Sequence, residues 1–364
     1  MASAKNQDLQ WLQPEDTPWP VPVLDIRPLT QTMLSASADS QMASNAVSFG
    51  GDDGLGFVGH ETPSQTVTQL ALRYRVSPML ADGVLFSPTA MEHKWALFHY
   101  GGTILFVRSW QRRVVVTTTA HQSSGYVELT EARGEFPGSD LDPRFISAYI
   151  DFLVRTHALL LDFPAPLETD PEDDGRGAAL ASFNHFGKMA RYATHHRFTV
   201  DPPERPLRSH SLFHIAIAKG DLYAAQMQLA RGVPVDLLAG DGLSAIHWAL
   251  ASRNHTASSW LLDHGLAIDT RSEEGATALM NAVQDDNAQG AQWLLNHGAN
   301  ANAADNRGFT SLHRAAEMGL ETTVRLLLDH GARPDMIAQG HTPADLARGR
   351  GHDRIAGLIG SGSS

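Results

Sequence analysis

Thr310-Ser311-Leu312-His313 is the fourth of five short stretches that share one pattern in the C-terminal half of this chain. The others are Ser211-Leu212-Phe213-His214, Ser244-Ala245-Ile246-His247, Thr277-Ala278-Leu279-Met280 and Thr342-Pro343-Ala344-Asp345, at steps of 33, 33, 33 and 32 residues. Leu229-Ala230, Leu261-Leu262, Leu294-Leu295, Leu327-Leu328 and Leu358-Ile359 keep the same register. So do Gly232, Gly265, Gly298 and Gly331, and Gly242, Gly275, Gly308 and Gly340. A period near 33 residues describes units that bury their apolar faces by stacking on one another.

Each recurring residue type has a physical reason. Ser or Thr at the first position is placed to cap a helix N-terminus, where backbone N–H groups lack partners. His214, His247 and His313, three residues on, can bond back to the cap or across to the next loop. Small residues such as Ala282 and Ala315-Ala316 let paired helices approach closely, and the leucine pairs bury a second helix. Glycine after that helix takes the left-handed conformation that ends it. The last unit departs from the pattern: Asp345 replaces histidine, and Gly349 and Gly351 weaken its helix. It reads as a C-terminal cap followed by a frayed Gly360–Ser364 tail.

The pattern closely resembles the ankyrin repeat, with its Thr-Pro-Leu-His signature. The resemblance implies an all-α ankyrin-repeat solenoid of about five units over residues 206–360. It also implies a protein partner held along a concave groove of fingers and first helices. Carried over position by position, that surface comprises Asp241, Leu243 and Ser252 in the second repeat, and Glu273, Glu274, Gln284 and Asp285 in the third. In the fourth it comprises Asn306, Arg307, Phe309, Glu317 and Met318. The third repeat is acidic, and Phe309 with Met318 is expected to offer an apolar anchor beside it.

Composition narrows the classes of function. The chain has 364 residues, 42% hydrophobic and 19% charged, enough for two domains. Its net charge of -12 opposes non-specific nucleic-acid binding, because phosphates would be repelled. With no cysteine there is no disulfide, thiolate zinc site or cysteine nucleophile, which fits a reducing cytoplasm. Met1 to Gln13 lacks the apolar core of a secretory signal, and no apolar run approaches the length of a membrane span. These features predict a cytoplasmic protein without membrane or nucleic-acid partners.

The N-terminal half reads as an α+β domain over residues 61–200, preceded by an irregular segment, 1–60. Lys94–Tyr100, Gly101-Gly102 and Thr103–Trp110 predict a hairpin. Arg112–His121 and Tyr126–Phe136 extend it to a meander of about four strands. Asp142-Pro143 opens a helix to about Leu161, with Phe145, Ile146, Tyr149, Ile150 and Leu153 inward. Pro164-Ala165-Pro166 and the acidic stretch 168–174 read as a linker or exposed loop, and Ala178–Tyr192 as a second helix. The region around Met91–Trp110 is similar to the leading domain of uncharacterised bacterial proteins that carry ankyrin repeats, which implies a bacterial origin but no activity.

No constellation here demands chemistry. Gly50-Gly51-Asp52-Asp53-Gly54-Leu55-Gly56 lacks the Gly-Lys-Ser/Thr ending of a phosphate loop, so it reads as a flexible turn. His185, His195, His196 and His210 lack a carboxylate partner, so neither a metal nor a cofactor is expected. Arg108 is expected to pair with a surface acid and Trp110 to pack on the helix. The reading is therefore an adaptor that binds a protein through its repeats. An enzyme would require Arg108, His121 or the 185–196 histidines to converge in a pocket, and an immunity-type inhibitor would use the acidic repeats to mask a basic surface.

Overall fold

The computed structural model describes residues 9–35, 37, 39–49, 51–137, 142–168 and 175–361. It separates into two compact units, Met1–Ser211 and Leu212–Ser364. No described helix is long and apolar enough to cross a membrane.

The first unit is α+β. In chain order it contains β1 (Gln10–Leu12), β2 (Val23–Asp25), α1 (Arg27–Thr30), α2 (Ser40–Val47), β3 (Val67–Arg75) and β4 (Gly83–Phe86). Then follow β5 (Trp95–Tyr100), β6 (Thr103–Arg108), β7 (Arg113–Ser123), β8 (Tyr126–Gly134), α3 (Pro143–Leu153), β9 (Pro164–Pro166), α4 (Arg176–Phe186), β10 (Tyr192–Thr194) and β11 (His210–Ser211). Among the described residues, seven strands form an antiparallel sheet in the order β11-β4-β5-β6-β7-β8-β3. The β5–β6 hairpin turns at Gly101 and Gly102, whose φ values of 55° and 78° suit the tight turn that matches strand twist. A second sheet has the order β1-β2-β10-β9, with only its β9–β10 pair parallel.

α3 begins where its sequence directs. Asp142 accepts a hydrogen bond from the Arg144 amide at 2.9 Å, and Pro143 occupies the first turn. The helix widens into a π-helical turn over Val154–Ala158. Phe145, Ile146, Tyr149, Ile150 and Leu153 are buried in one core with Trp95, Leu97, Ile104 and Phe106 of the large sheet, Leu24 of the small one and Ile26 just after it.

Several expectations for this half need correction. The first 60 residues are not irregular throughout: Val23–Asp25 is an inner strand, and Ile26 is fully buried. The large sheet exceeds four strands, because β3 and β4 join it on opposite sides of the meander. Pro164-Ala165-Pro166 is a buried edge strand, not an exposed linker. Edge position is where proline's missing N–H costs a sheet least. Residues 169–174 of the expected acidic loop lie outside the described residues, as do Gly50 and residues 362–364. The second helix ends at Phe186, where Gly187 takes a φ of 66°, and the chain re-enters a strand at Tyr192. The aspartates of 52–55 are not in a loose turn. Asp52 pairs with Arg112, and the Asp52 and Asp53 side chains accept from Gly54 N (2.9 Å) and Leu55 N (3.1 Å).

The second unit is a helical solenoid of five helix pairs: α5 (Leu212–Lys219) and α6 (Leu222–Ala230), α7 (Ala245–Ala251) and α8 (His255–Asp263), α9 (Ala278–Gln284) and α10 (Ala288–Asn296), α11 (Ser311–Glu317) and α12 (Glu321–Asp329), α13 (Pro343–Gly349) and α14 (Asp353–Ser361). First helices pack on first helices from α5 through α13. Ala249 and Ala315 of the first helices and Leu261, Leu294 and Leu327 of the second helices are fully buried. In the fifth pair Asp345 does the histidine's capping work. Thr342 N donates to Asp345 Oδ2 at 3.0 Å, and Asp345 N donates to Thr342 Oγ1 at 3.2 Å.

Candidate functional site

The solenoid's finger face is built on its histidines. In the fourth repeat the Thr310 amide donates to His313 Nδ1 at 3.2 Å, the His313 amide donates to Thr310 Oγ1 at 3.4 Å, and Nδ1 lies 2.9 Å from that hydroxyl. His313 Nε2 reaches the His341 carbonyl of the next repeat at 3.2 Å. The second repeat repeats the arrangement, with His247 Nδ1 2.8 Å from Ser244 Oγ and Nε2 3.2 Å from the Ala276 carbonyl. A carbonyl can only accept, so Nε2 carries the proton and Nδ1 accepts from the cap. Burial drives the His247 pKa down to about 4 and lowers that of His313, so each staple works as a neutral imidazole. In the third repeat Met280 replaces histidine, and the buried Thr277 hydroxyl has no hydrogen-bond partner among the described residues.

These staples fix the fingers, and the fingers bond to one another. Each closes on itself: Ala239 N donates to Leu243 O at 2.8 Å, Ser272 N to Ala276 O at 2.8 Å and Asp305 N to Phe309 O at 2.9 Å. Between them, Glu273 N donates to Gly242 O at 2.9 Å, and Asn306 N donates to Glu274 O at 3.1 Å. Gly275 allows this approach. Its φ is 78°, and a Cβ there would lie 2.3 Å from Asn306 Oδ1. Arg271 clamps the same junction, donating to Gly275 O (3.1 Å) and Ala304 O (2.7 Å).

On this ladder the expected surface residues fall into two rows. Asp241, Leu243, Glu273, Glu274, Asn306, Arg307 and Phe309 lie on the second to fourth fingers. Asp241, Glu273, Glu274, Asn306 and Arg307 are exposed, whereas Leu243 and Phe309 are half-buried. Ser252, Gln284, Asp285, Glu317 and Met318 lie at the C-terminal ends of the stacked first helices α7, α9 and α11. Several of the twelve have internal duties, among them Arg307, which lies 3.6 Å from the Asp305 carboxylate. The Asp241 carboxylate accepts from Leu243 N at 2.9 Å to shape its turn, the Asn306 side chain donates to Glu273 O at 3.3 Å, and Glu317 is paired with Arg350 at 2.6 Å. The Phe309 ring is flanked by Arg307 and Arg314, with guanidinium carbons 5.4 and 5.6 Å from its centroid. It is thus a cation-flanked aromatic and not a plain apolar anchor. The face runs from acidic at Glu273, Glu274 and Asp285 to basic and aromatic at Arg307, Phe309 and Arg314.

Sequence reasoning missed two features of the solenoid. Arg253 and Asp286 have φ values of 54° and 48° at turns where Gly220 and Gly319 stand in neighbouring repeats. They place left-handed, strained backbone beside Ser252 and Asp285. On the second helices, Trp260 stacks on His264 (3.8 Å between centroids) and Trp293 on His297 (4.0 Å). The i,i+4 spacing of each pair is visible in the sequence.

The N-terminal candidates do not assemble into one site. Arg108 has no acidic partner among the described residues. It caps the end of α4, donating to His185 O at 2.8 Å and Asn184 O at 3.3 Å, and it lies over the Trp95 ring. The Trp110 indole donates to Met91 O at 2.8 Å, and its ring faces the Lys94 ammonium at 4.2 Å. His121 is on β7, eight residues beyond Arg113, the residue paired with Arg108. At about 3.3 Å per residue this is roughly 26 Å away. His195 and His196 pack ring against ring at 4.3 Å, with Trp11 against His195. Among the described residues no group of three or more histidines or acids is placed to hold a metal ion.

Comparison with known proteins agrees with the solenoid's geometry. Residues 213–305 and 267–338 match the family model for ankyrin repeats (3 copies). No curated protein matches the chain. The C-terminal region of this protein, residues 213–338, is an array of ankyrin repeats, a protein–protein interaction module.

Proposed function

We propose that the protein is a cytoplasmic adaptor that binds a protein partner across the fingers and first-helix ends of its second, third and fourth repeats. The observation that carries this reading is the hydrogen-bonded finger ladder from Gly242 to Asn306, which presents Glu273, Glu274, Arg307 and Phe309 on a preformed surface. A surface already ordered loses little entropy on binding, so a few anchors suffice for affinity. Its polarity selects a partner with a basic patch facing the third repeat and an acidic or aromatic group facing Arg307 and Phe309. The net charge of -12 supports a protein partner over a nucleic acid, and the absence of cysteine supports a reducing compartment. The first unit is proposed to carry its own ligand site alongside this adaptor role.

The test is affinity capture with the full chain and with its Phe309→Ala and Glu274→Lys variants. Loss of the captured protein with either variant supports this surface, and salt-sensitive loss assigns the acidic third repeat the larger share. Undiminished capture by both folded variants would refute it.

A further inference from the structure

A cavity of about 250 Å³ opens in the first unit between β3, one face of α3 and residues 197–202. Arg144, Ser147 and Asp151 reach it from α3 and Arg155 from the π-helical turn that continues it, at spacings of three or four residues that place them on one side. Arg73 reaches it from β3, and Arg197 and Thr199 from the returning chain. Four guanidinium groups therefore meet one carboxylate, in a protein whose overall charge is strongly negative.

That carboxylate is already engaged. Asp151, buried within α3, accepts from Tyr74 Oη and from Arg155 Nε, both at 2.7 Å. The other arginines are only loosely balanced. Arg73 lies 3.4 Å from Glu128 with both side chains half-exposed, and Arg144 pairs with Asp142, the exposed cap of its own helix. Arg197 has no carboxylate within ion-pair distance among the described residues. Its hydrogen bonds run to the carbonyls of His195 and Leu167, and its guanidinium lies over the Phe145 ring. A guanidinium carries five N–H groups in a planar fork, so donors remain beyond those two carbonyls. Three of the four guanidinium groups thus have a carboxylate beside them, and Arg197, held without one, leaves positive charge at the cavity that an anion would complete.

We propose that this cavity binds a small molecule bearing a phosphate group. Arginine forks fit phosphate oxygens two at a time, and the Ser147 and Thr199 hydroxyls add donors from opposite walls. The first turns of α3 add the positive end of a helix dipole. A carboxylate offers only two oxygens to this many donors, whereas a phosphate offers three or four. The volume falls just below the usual range for drug-sized ligands, so the organic part is short.

Calorimetric titration of the full chain with inorganic phosphate, pyrophosphate and succinate tests the assignment. Wild type is expected to bind pyrophosphate saturably at one site and more tightly than succinate. Arg197→Gln and Arg144→Gln should each weaken binding about tenfold, a change of about 1.4 kcal/mol. Arg197→Lys, which keeps the charge but not the fork, should fall between, and Arg113→Gln, outside the cavity, should change nothing. The Arg144 side chain is 79% exposed, so its variant tests binding even if the Arg197 variants fail to fold. No saturable binding of either phosphate by wild type up to roughly 10 mM, equal affinity for succinate, or full affinity in folded Arg144→Gln would each overturn the proposal.

Discussion

Replacing His247 by alanine tests whether the histidine staples hold neighbouring repeats together. The imidazole is 2% exposed and joins Ser244 Oγ at 2.8 Å to the Ala276 carbonyl of the next repeat at 3.2 Å. Two neutral hydrogen bonds contribute about 1 kcal/mol each, and deleting a buried ring adds a cavity term. The Ala276 carbonyl keeps its bond from Ser272 N, whereas the buried Ser244 hydroxyl loses its partner. The expected loss is about 3 kcal/mol at neutral pH. A second signature follows from titration. Burial lowers the pKa from the usual 6.5 to about 4, so the unfolded chain binds the proton more readily than the folded one. The staple's contribution is therefore intact above pH 6.5 and is lost as pH falls from 6.5 through 4. Over that window it amounts to roughly 3 kcal/mol. Hydrogen exchange of amides across α7 and α9, in the full chain, reads the local free energy directly. Wild type and variant should differ by about 3 kcal/mol at pH 7 and converge to within about 1 kcal/mol near pH 4. A difference below about 1 kcal/mol at pH 7, or one that does not change with pH, would refute the reasoning.

Two further substitutions should stabilise the array. Arg253→Gly and Asp286→Gly relieve left-handed backbone at residues with φ of 54° and 48°, and each is expected to add about 0.5–1 kcal/mol in urea unfolding of the full chain. A loss of stability in both would show that their side chains, not their backbones, matter most. Met280→His supplies the third repeat with the missing staple and gives the buried Thr277 hydroxyl a partner. It should slow exchange across α9 and α11 by about tenfold, corresponding to about 1.4 kcal/mol, and unchanged exchange would count against the staple.

What could be read from the sequence divides along a physical line. The repeats were legible because each unit meets nearly the same neighbours, so the same residues recur: threonine or serine at the cap, histidine three residues on, leucine pairs in the second helix. The hairpin at Gly101-Gly102 and the start of α3 at Asp142-Pro143 were legible because both signals are local. The small sheet was not, since its strands have three residues each and draw on positions as distant as Leu24 and Ala193. The arginine cavity escaped for the same reason: Arg73, Arg144 and Arg197 are far apart in the chain and meet only through the fold. Arg108 was misread because its partners are the backbone carbonyls of Asn184 and His185, which no residue type announces. On the proposed binding face, residue positions followed from the repeat register, but the engagement of Glu317 by Arg350 and the arginines beside Phe309 required the structure.

A protein partner is proposed to sit on the finger ladder of repeats two to four. Site-specific photo-crosslinking tests it most directly, with the crosslinker placed in the full chain either at the exposed Asn306 on the fourth finger or at the exposed Gln289 on α10. A discrete protein adduct is expected from Asn306 that disappears with Arg307→Glu, and none from Gln289. The same adduct from Gln289, or an Asn306 adduct that persists undiminished with Arg307→Glu, would contradict that placement.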